Sequence, residues 1–251
     1  SFYANSRIES VEGLCHRIES VIAEGATIVD IGGYSSRSGA KEVSVEEEWQ
    51  RVSMGLEAVR RVNAGVVVSV DTFRAEVVRR AVAEYGDIIV NDISAGELDD
   101  EMLEVVAKNK LPYIAMHMRG TPKTMQSMTD YEDGVVVGVV DYFRRRIDEL
   151  HKAGISSIVL DPGFGFAKDA VQNFELLKGL GKLRELGYPI LVGVSRKSMI
   201  YRTLDITPEE SLPGSLALAW EALQGGEAIL RVHDVAETAQ VMRLAEKYKK
   251  I

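Results

Sequence analysis

The stretch Val66–Ser94, VVVSVDTFRAEVVRRAVAEYGDIIVNDIS, decides the fold. An apolar run, Val66–Thr72, carries Asp71 near its end. A segment of helical periodicity follows and stops at Gly86, and a second apolar run, Ile88–Ser94, holds Asn91 and Asp92. Neither run alternates apolar with polar residues, as expected of parallel strands covered on both faces. Strand, helix, strand in this order is one βαβ unit.

The same pattern extends in both directions. Further short Val- and Ile-rich runs lie at Thr27–Gly33, Pro112–Met118, Ser157–Gly163, Pro189–Ser195 and Ala228–Asp234. The segments between them carry helix signals. Ser44 with Glu47 is a candidate capping box, and Val45, Trp49, Val52, Leu56 and Val59 recur at spacings of three and four. Phe174, Leu177, Leu180, Leu183 and Leu186 form one stripe that stops at Gly187, and Thr207-Pro208-Glu209-Glu210 reads as a helix start. Glycines at 25, 86, 154, 187 and 226 are placed to end helices.

Even βα units without a linker or a shift in composition predict a single α/β domain over residues 1–251, of the (β/α)8 TIM-barrel class. Only seven strands can be read. The first helix, Ser10–Glu24, has no strand before it, so the first strand of the barrel is expected upstream of Ser1.

Composition excludes several functions. The chain has 251 residues, 46% hydrophobic and 27% charged, which is a globular balance. A net charge of −8 argues against nucleic acid or an acidic membrane surface as partner. The single cysteine, Cys15, rules out an intrachain disulfide framework and fits a reducing cytoplasm. No run has the length of a membrane span, and no signal peptide is visible in the N-terminal residues.

In a barrel of this kind the chemistry sits where the strands end. Those ends read Asp30-Ile31-Gly32-Gly33, Asp71-Thr72, Asn91-Asp92, His117, Asp161-Pro162-Gly163, Ser195-Arg196-Lys197 and Arg231-Val232-His233-Asp234. Arg196, Lys197, Arg231 and His233 gather potential cations in an acidic protein, which suits a phosphate or diphosphate. Asp71, Asn91 and Asp161 suit a heterocycle rich in N–H donors. The loop Gly32–Ala40 is rich in glycine and serine, as phosphate-cradling loops are. His117 alone reads most simply as a structural histidine.

The stretches DIGGYSSRSGA, SVDTFRAEV, NDIS, MHMRGTP, DPGFGF, GVSRKS and ILRVHDV, taken together and in this order, resemble the dihydropteroate synthases, the folate-pathway enzymes that sulfonamide drugs inhibit. The resemblance spans essentially the whole chain. It implies that 6-hydroxymethyl-7,8-dihydropterin diphosphate and 4-aminobenzoate condense to 7,8-dihydropteroate and pyrophosphate, with Mg²⁺ as cofactor, in a cytoplasmic homodimer. It implies a pterin site of Asp71, Asn91, Ile93, Met116, Asp161, Gly193 and Lys197, and a diphosphate site of Arg231 and His233. It implies an aminobenzoate and sulfonamide site of Ser36, Arg37, Phe166, Lys197 and Ser198. Asp71, Asp161, Lys197, Arg231 and His233 would carry the catalysis. The family's metal-binding Asn falls before Ser1, so no metal ligand is assigned. The family's S-T-R-P-G reads Ser35-Ser36-Arg37-Ser38-Gly39 here, and the loss of the proline adds freedom worth roughly 0.5–1 kcal/mol. Two other readings share the pterin site: methyl transfer to a corrinoid partner, which has no use for a diphosphate grip, and pterin binding without turnover.

Overall fold

The structure is a computed structural model that describes residues 10–35 and 42–250. The chain falls into two compact units, one made of residues up to Met116 with Asp148–Ile158, the other of His117–Ile147 with Val159–Ile251.

The first unit holds β1 (Ile28–Gly32), β2 (Val67–Asp71), β3 (Ile89–Asp92) and β4 (Tyr113–Met116), paired in that order and all parallel. Each lies inside a run read as a strand from the sequence. Helix α1 (Val11–Ala23) starts at Ser10, whose hydroxyl accepts from Gly13 N at 3.1 Å. Helix α2 (Val45–Asn63) starts at Ser44, whose hydroxyl accepts from Glu47 N at 3.1 Å. Glu47 pairs with Arg51 at 2.5 Å, so the expected capping box is seen in its Ser44 half. Trp49, Val52, Leu56 and Val59 are buried as the spacing predicts, but Val45, the first residue of the helix, is 37% exposed. Ile18, Val29, Ala58 and Val59 form a core cluster of α1, β1 and α2. Helix α3 (Ala75–Tyr85) ends at Gly86, whose φ of +88° is open to glycine and costly for other residues. Helix α4 (Met102–Lys108) precedes β4.

Helix α5 (Val135–Lys152) and strand β5 (Ile158–Asp161) contribute residues to both units. The second unit then runs through α6 (Ala170–Lys178), α7 (Leu180–Arg184), β6 (Leu191–Val192), α8 (Ser198–Leu204), α9 (Leu212–Gln224), β7 (Ile229–Leu230) and α10 (Val235–Tyr248). Leu160 bridges Ile190 in parallel, and β6 pairs with β7 in parallel. The single stripe expected from Phe174 to Leu186 is two helices. At Gly179 a side chain would meet Val136 at 2.6 Å, so the chain breaks where α5 comes close. The Thr207 start caps a short 3-10 turn, Glu209–Ser211, and Pro213 sits in the first turn of the α-helix that follows. No described helix is long and apolar enough to cross a membrane.

Candidate active site

In the first unit the polar residues at the strand ends are brought together by register. Gly32 lies beside Asp71, and Asp71 beside Asn91. Neighbours in a parallel ladder project to the same face, so Asp71 and Asn91 share one. Asp30, two residues before Gly32, accepts from Ser69 Oγ at 2.5 Å and from Asn91 Nδ2 at 3.3 and 3.4 Å. This orients the Asn91 amide: its N–H₂ is turned to a carboxylate and its carbonyl oxygen away from it. Ile93 and Met116, expected as the apolar members of the set, are buried, 6% and 4% exposed. Asp92 is not part of it. Its buried carboxylate accepts from Tyr113 Oη, Ser94 N and Oγ, and Gly96 N, so it serves the β3 loop. Burial pushes its pKa up.

Gly33 and the start of α2 are held by a buried network. Glu48, 0% exposed, accepts from Thr72 Oγ1 at 2.5 Å and from Arg74 at 2.8 Å. Arg74 also donates to Val43 O, and Arg51 to Gly33 O. Ser36, Arg37 and Ser38 lie outside the described residues.

In the second unit the sequence DPGFGFAK forms a loop around two lysines. Asp161 is 8% exposed, and burial raises its carboxyl above the usual range. Lys197, the Gly163 N–H, Arg231 and Lys168 act against that rise and favour the carboxylate. The Gly163 N–H donates to Asp161 Oδ1 at 2.8 Å. Lys197 Nζ donates to Phe164 O and stands 5.2 Å above the Phe166 ring. A side chain at Gly193 would come within 3.9 Å of Lys197 Nζ and of Arg231 Cβ, so Gly193, Lys197 and Arg231 are neighbours. Ser198 opens α8 directly after Lys197. His233 follows β7, with Nδ1 3.1 Å from Ser195 Oγ. Burial, with Arg231, Arg196 and Lys197 nearby, pushes its pKa down to about 4.

Lys168 is a site residue that sequence reasoning missed. It is 4% exposed, and its Nζ meets His117 Nδ1 at 2.9 Å, Gly163 O at 3.1 Å and Phe166 O at 2.8 Å. Three acceptors match the three donors of an ammonium. Burial lowers its pKa to about 7. His117 is the structural histidine expected. It takes the lysine on one edge and packs its ring against Tyr142 at 4.8 Å, and burial holds its pKa well below the ordinary value. Arg196, expected among the diphosphate cations, is committed elsewhere. Its Nε and Nη2 bind both oxygens of Asp234 at 2.8 and 2.7 Å, and its Nη1 donates to Pro208 O and Glu209 O.

Chemically, the first unit offers a carboxylate and an oriented amide side by side. The second offers a buried carboxylate among cations and, beside them, an arginine and a neutral imidazole. The first array suits N–H and C=O edges of a heterocycle, and the second an N–H edge and an anion. Among the described residues, no group of three or more His, Cys, Asp or Glu side chains could hold a metal ion.

The profile of a family described as "Pterin binding enzyme" matches residues 1–233. A dihydropteroate synthase of Synechocystis is 42% identical over 249 residues, covering 98% of this chain and 85% of the relative. One from Escherichia coli is 45% identical over 244 residues, covering 96% of this chain and 84% of the relative. Among solved structures, the Yersinia pestis dihydropteroate synthase with a sulfonamide drug complex superimposes with a TM-score of 0.92 at 37% identity, over 97% of this chain and 88% of that one. The Xanthomonas albilineans dihydropteroate synthase with 4-aminobenzoic acid gives a TM-score of 0.88 at 37% identity, over 99% and 89%. The α/β-barrel class expected from the sequence stands on this likeness.

Proposed function

The chain belongs to the pterin-binding enzyme family, and on that premise we infer its reaction. It is a dihydropteroate synthase by activity, a transferase of folate biosynthesis. The 4-aminobenzoate nitrogen forms a bond to the methylene carbon of 6-hydroxymethyl-7,8-dihydropterin diphosphate. The C–O bond to the diphosphate breaks, its electron pair leaves with pyrophosphate, and the amine gives up a proton.

The observation that carries this reading is the set of cations around Asp161. Lys197 and Arg231 both act on its buried carboxylate, and His233 stands close enough to Arg231 and Lys197 to feel their charge. A site for an N–H-rich ring with an anionic leaving group needs an acceptor of this kind beside donors of this kind. By resemblance, Asp71, Asn91, Asp161 and Lys197 are proposed to receive the pterin edge, with Ile93, Met116 and Gly193 against the ring. Arg231 and His233 are proposed to take the diphosphate. Phe166, Lys197 and Ser198, with Ser36 and Arg37, are proposed to receive 4-aminobenzoate and the sulfonamides that compete with it. The buried Asp161 carboxylate would stabilise positive charge building on the pterin methylene as the diphosphate departs.

Mg²⁺, a cytoplasmic setting and a homodimer complete the proposal. Among the described residues no group of three or more His, Cys, Asp or Glu side chains could hold the ion, so no ligand is assigned; when bound, it would offset the negative charge of the departing diphosphate. The acidic, cysteine-poor composition supports the cytoplasm, and sedimentation velocity tests the dimer. The experiment for the reaction is direct: protein, dihydropterin diphosphate, 4-aminobenzoate and Mg²⁺, with dihydropteroate followed by chromatography. Product is expected, and it should vanish with chelator. Pterin binding without product would overturn the reading.

A further inference from the structure

Among the described residues, the Ser195 hydroxyl has two hydrogen-bond partners, both in His233. Its hydroxyl oxygen lies 3.1 Å from His233 Nδ1 and accepts the His233 backbone N–H at 3.3 Å. Ser195 is 6% exposed, so the hydroxyl proton needs an acceptor within the protein. Of its two partners, the backbone N–H can only donate. Nδ1 is therefore the acceptor, and it carries no proton. With a proton on Nδ1 the hydroxyl would face two donors, and its own hydrogen would be buried without a partner, at the cost of a lost hydrogen bond.

We infer that Ser195 is a positioning residue that fixes His233 as the neutral tautomer with its proton on Nε2. The surroundings agree. Arg231, Arg196 and Lys197 all oppose a second proton on the ring, and only Asp234 favours one. Asp234 is already bound through both oxygens to Arg196.

The inference rests on the reading that His233 meets the diphosphate. There a neutral Nε2–H donates a hydrogen bond to a phosphate oxygen and does not transfer its proton. Pyrophosphate then leaves as the anion, and its charge is met by Arg231. A grip of this kind does not weaken as pH rises through the ordinary histidine range, as a grip by imidazolium would.

The test uses the whole chain, labelled with ¹⁵N, and reads the ring nitrogens of His233 by two-bond ¹⁵N–¹H correlation at pH 7. A pyridine-type Nδ1 and a single Nε2–H form are expected. Ser195→Ala should give a mixture of the two tautomers and bind inorganic pyrophosphate about tenfold more weakly by calorimetry. Ser195→Thr, which keeps the hydroxyl, should restore the single form and come within about twofold of the original affinity. A protonated Nδ1 in the unaltered protein overturns the inference, and so does an unmixed Nε2–H form in a folded Ser195→Ala. Should the alanine variant fail to fold, the spectrum of the unaltered protein still decides. Failure of the unaltered protein to bind pyrophosphate would instead count against the assigned reaction, since the tautomer is read without ligand.

Discussion

At the scale of single residues, two lysines divide the work of one loop. Lys197 holds Phe164 O and lies over Phe166, and Lys168 holds Gly163 O and Phe166 O from within. Lys197→Ala should raise the KM for both dihydropterin diphosphate and 4-aminobenzoate, each by tenfold or more, because one ammonium serves both. Unchanged steady-state constants would discard that double role. Lys168→Met keeps the bulk and removes the donors. It should raise the aminobenzoate KM about tenfold while the pterin KM stays within about twofold. Equal shifts in both constants would show that the whole site had moved. The pH dependence has a definite sign. The folded pKa of about 7 lies below the unfolded lysine value of about 10.4, so the unfolded chain binds more protons between the two and stability rises with pH there. Below about pH 7 the full cost of the buried charge is present. Urea midpoints should therefore move in favour of the unaltered protein over Lys168→Met, by roughly 1–2 kcal/mol between pH 7 and 9. A constant gap would refute the shifted lysine.

At the scale of elements, Arg196 and Asp234 join the turn before α8 to the start of α10. Arg196 adopts φ +52°, a region costly for a side chain, and its backbone N–H is held by Ser215 Oγ at 2.9 Å. Asp234 occupies the N-cap of α10, but its carboxylate is spent on the guanidinium and makes no cap bond. The pair is 8% and 17% exposed, so removing one partner strands a buried charge. Asp234→Ala should cost about 3–5 kcal/mol and lower the Tm by several degrees in calorimetry. Arg196→Lys should not rescue, because an ammonium cannot make the two-point contact. A Tm that survives either change would show the pair to be ornamental. The elements themselves were legible in the sequence, for a physical reason. Parallel strands covered on both faces read as apolar runs with polar ends, and the seven strands among the described residues fall inside such runs. The divide at Gly179 was not legible. It depends on Val136, more than forty positions earlier, and local periodicity carries no trace of that contact. The site was legible as strand ends. Lys168 was not, because a lysine just before a helix reads as solvated, and the backbone carbonyls that bind it have no signature in sequence.

At the scale of the whole molecule, acid stability is a contest between buried groups of opposite habit. His117 and His233 have folded pKa values below the ordinary 6.5, so stability is lost as pH falls from about 6.5 towards 4, where the unfolded chain takes up protons that the folded one refuses. Asp92, Asp161 and Glu48 are raised, so they favour the folded state on the acid side and oppose that loss. His117→Gln should flatten the fall in urea midpoint between pH 6.5 and 4.5. Parallel curves for variant and unaltered protein would remove His117 from the account. The same interior holds a built-in timer. A surface lysine acylates slowly at neutral pH because almost all of it is ammonium. Burial lowers the Lys168 pKa to about 7, but once the loop opens the amine is solvated and regains the ordinary lysine value, so its labelling depends on how often the loop opens as well as on the usual small amine fraction. The rate at which an amine-reactive reagent marks this one position, read by peptide mass spectrometry against an exposed lysine, gives the fraction of time that the DPGFGF loop lets go.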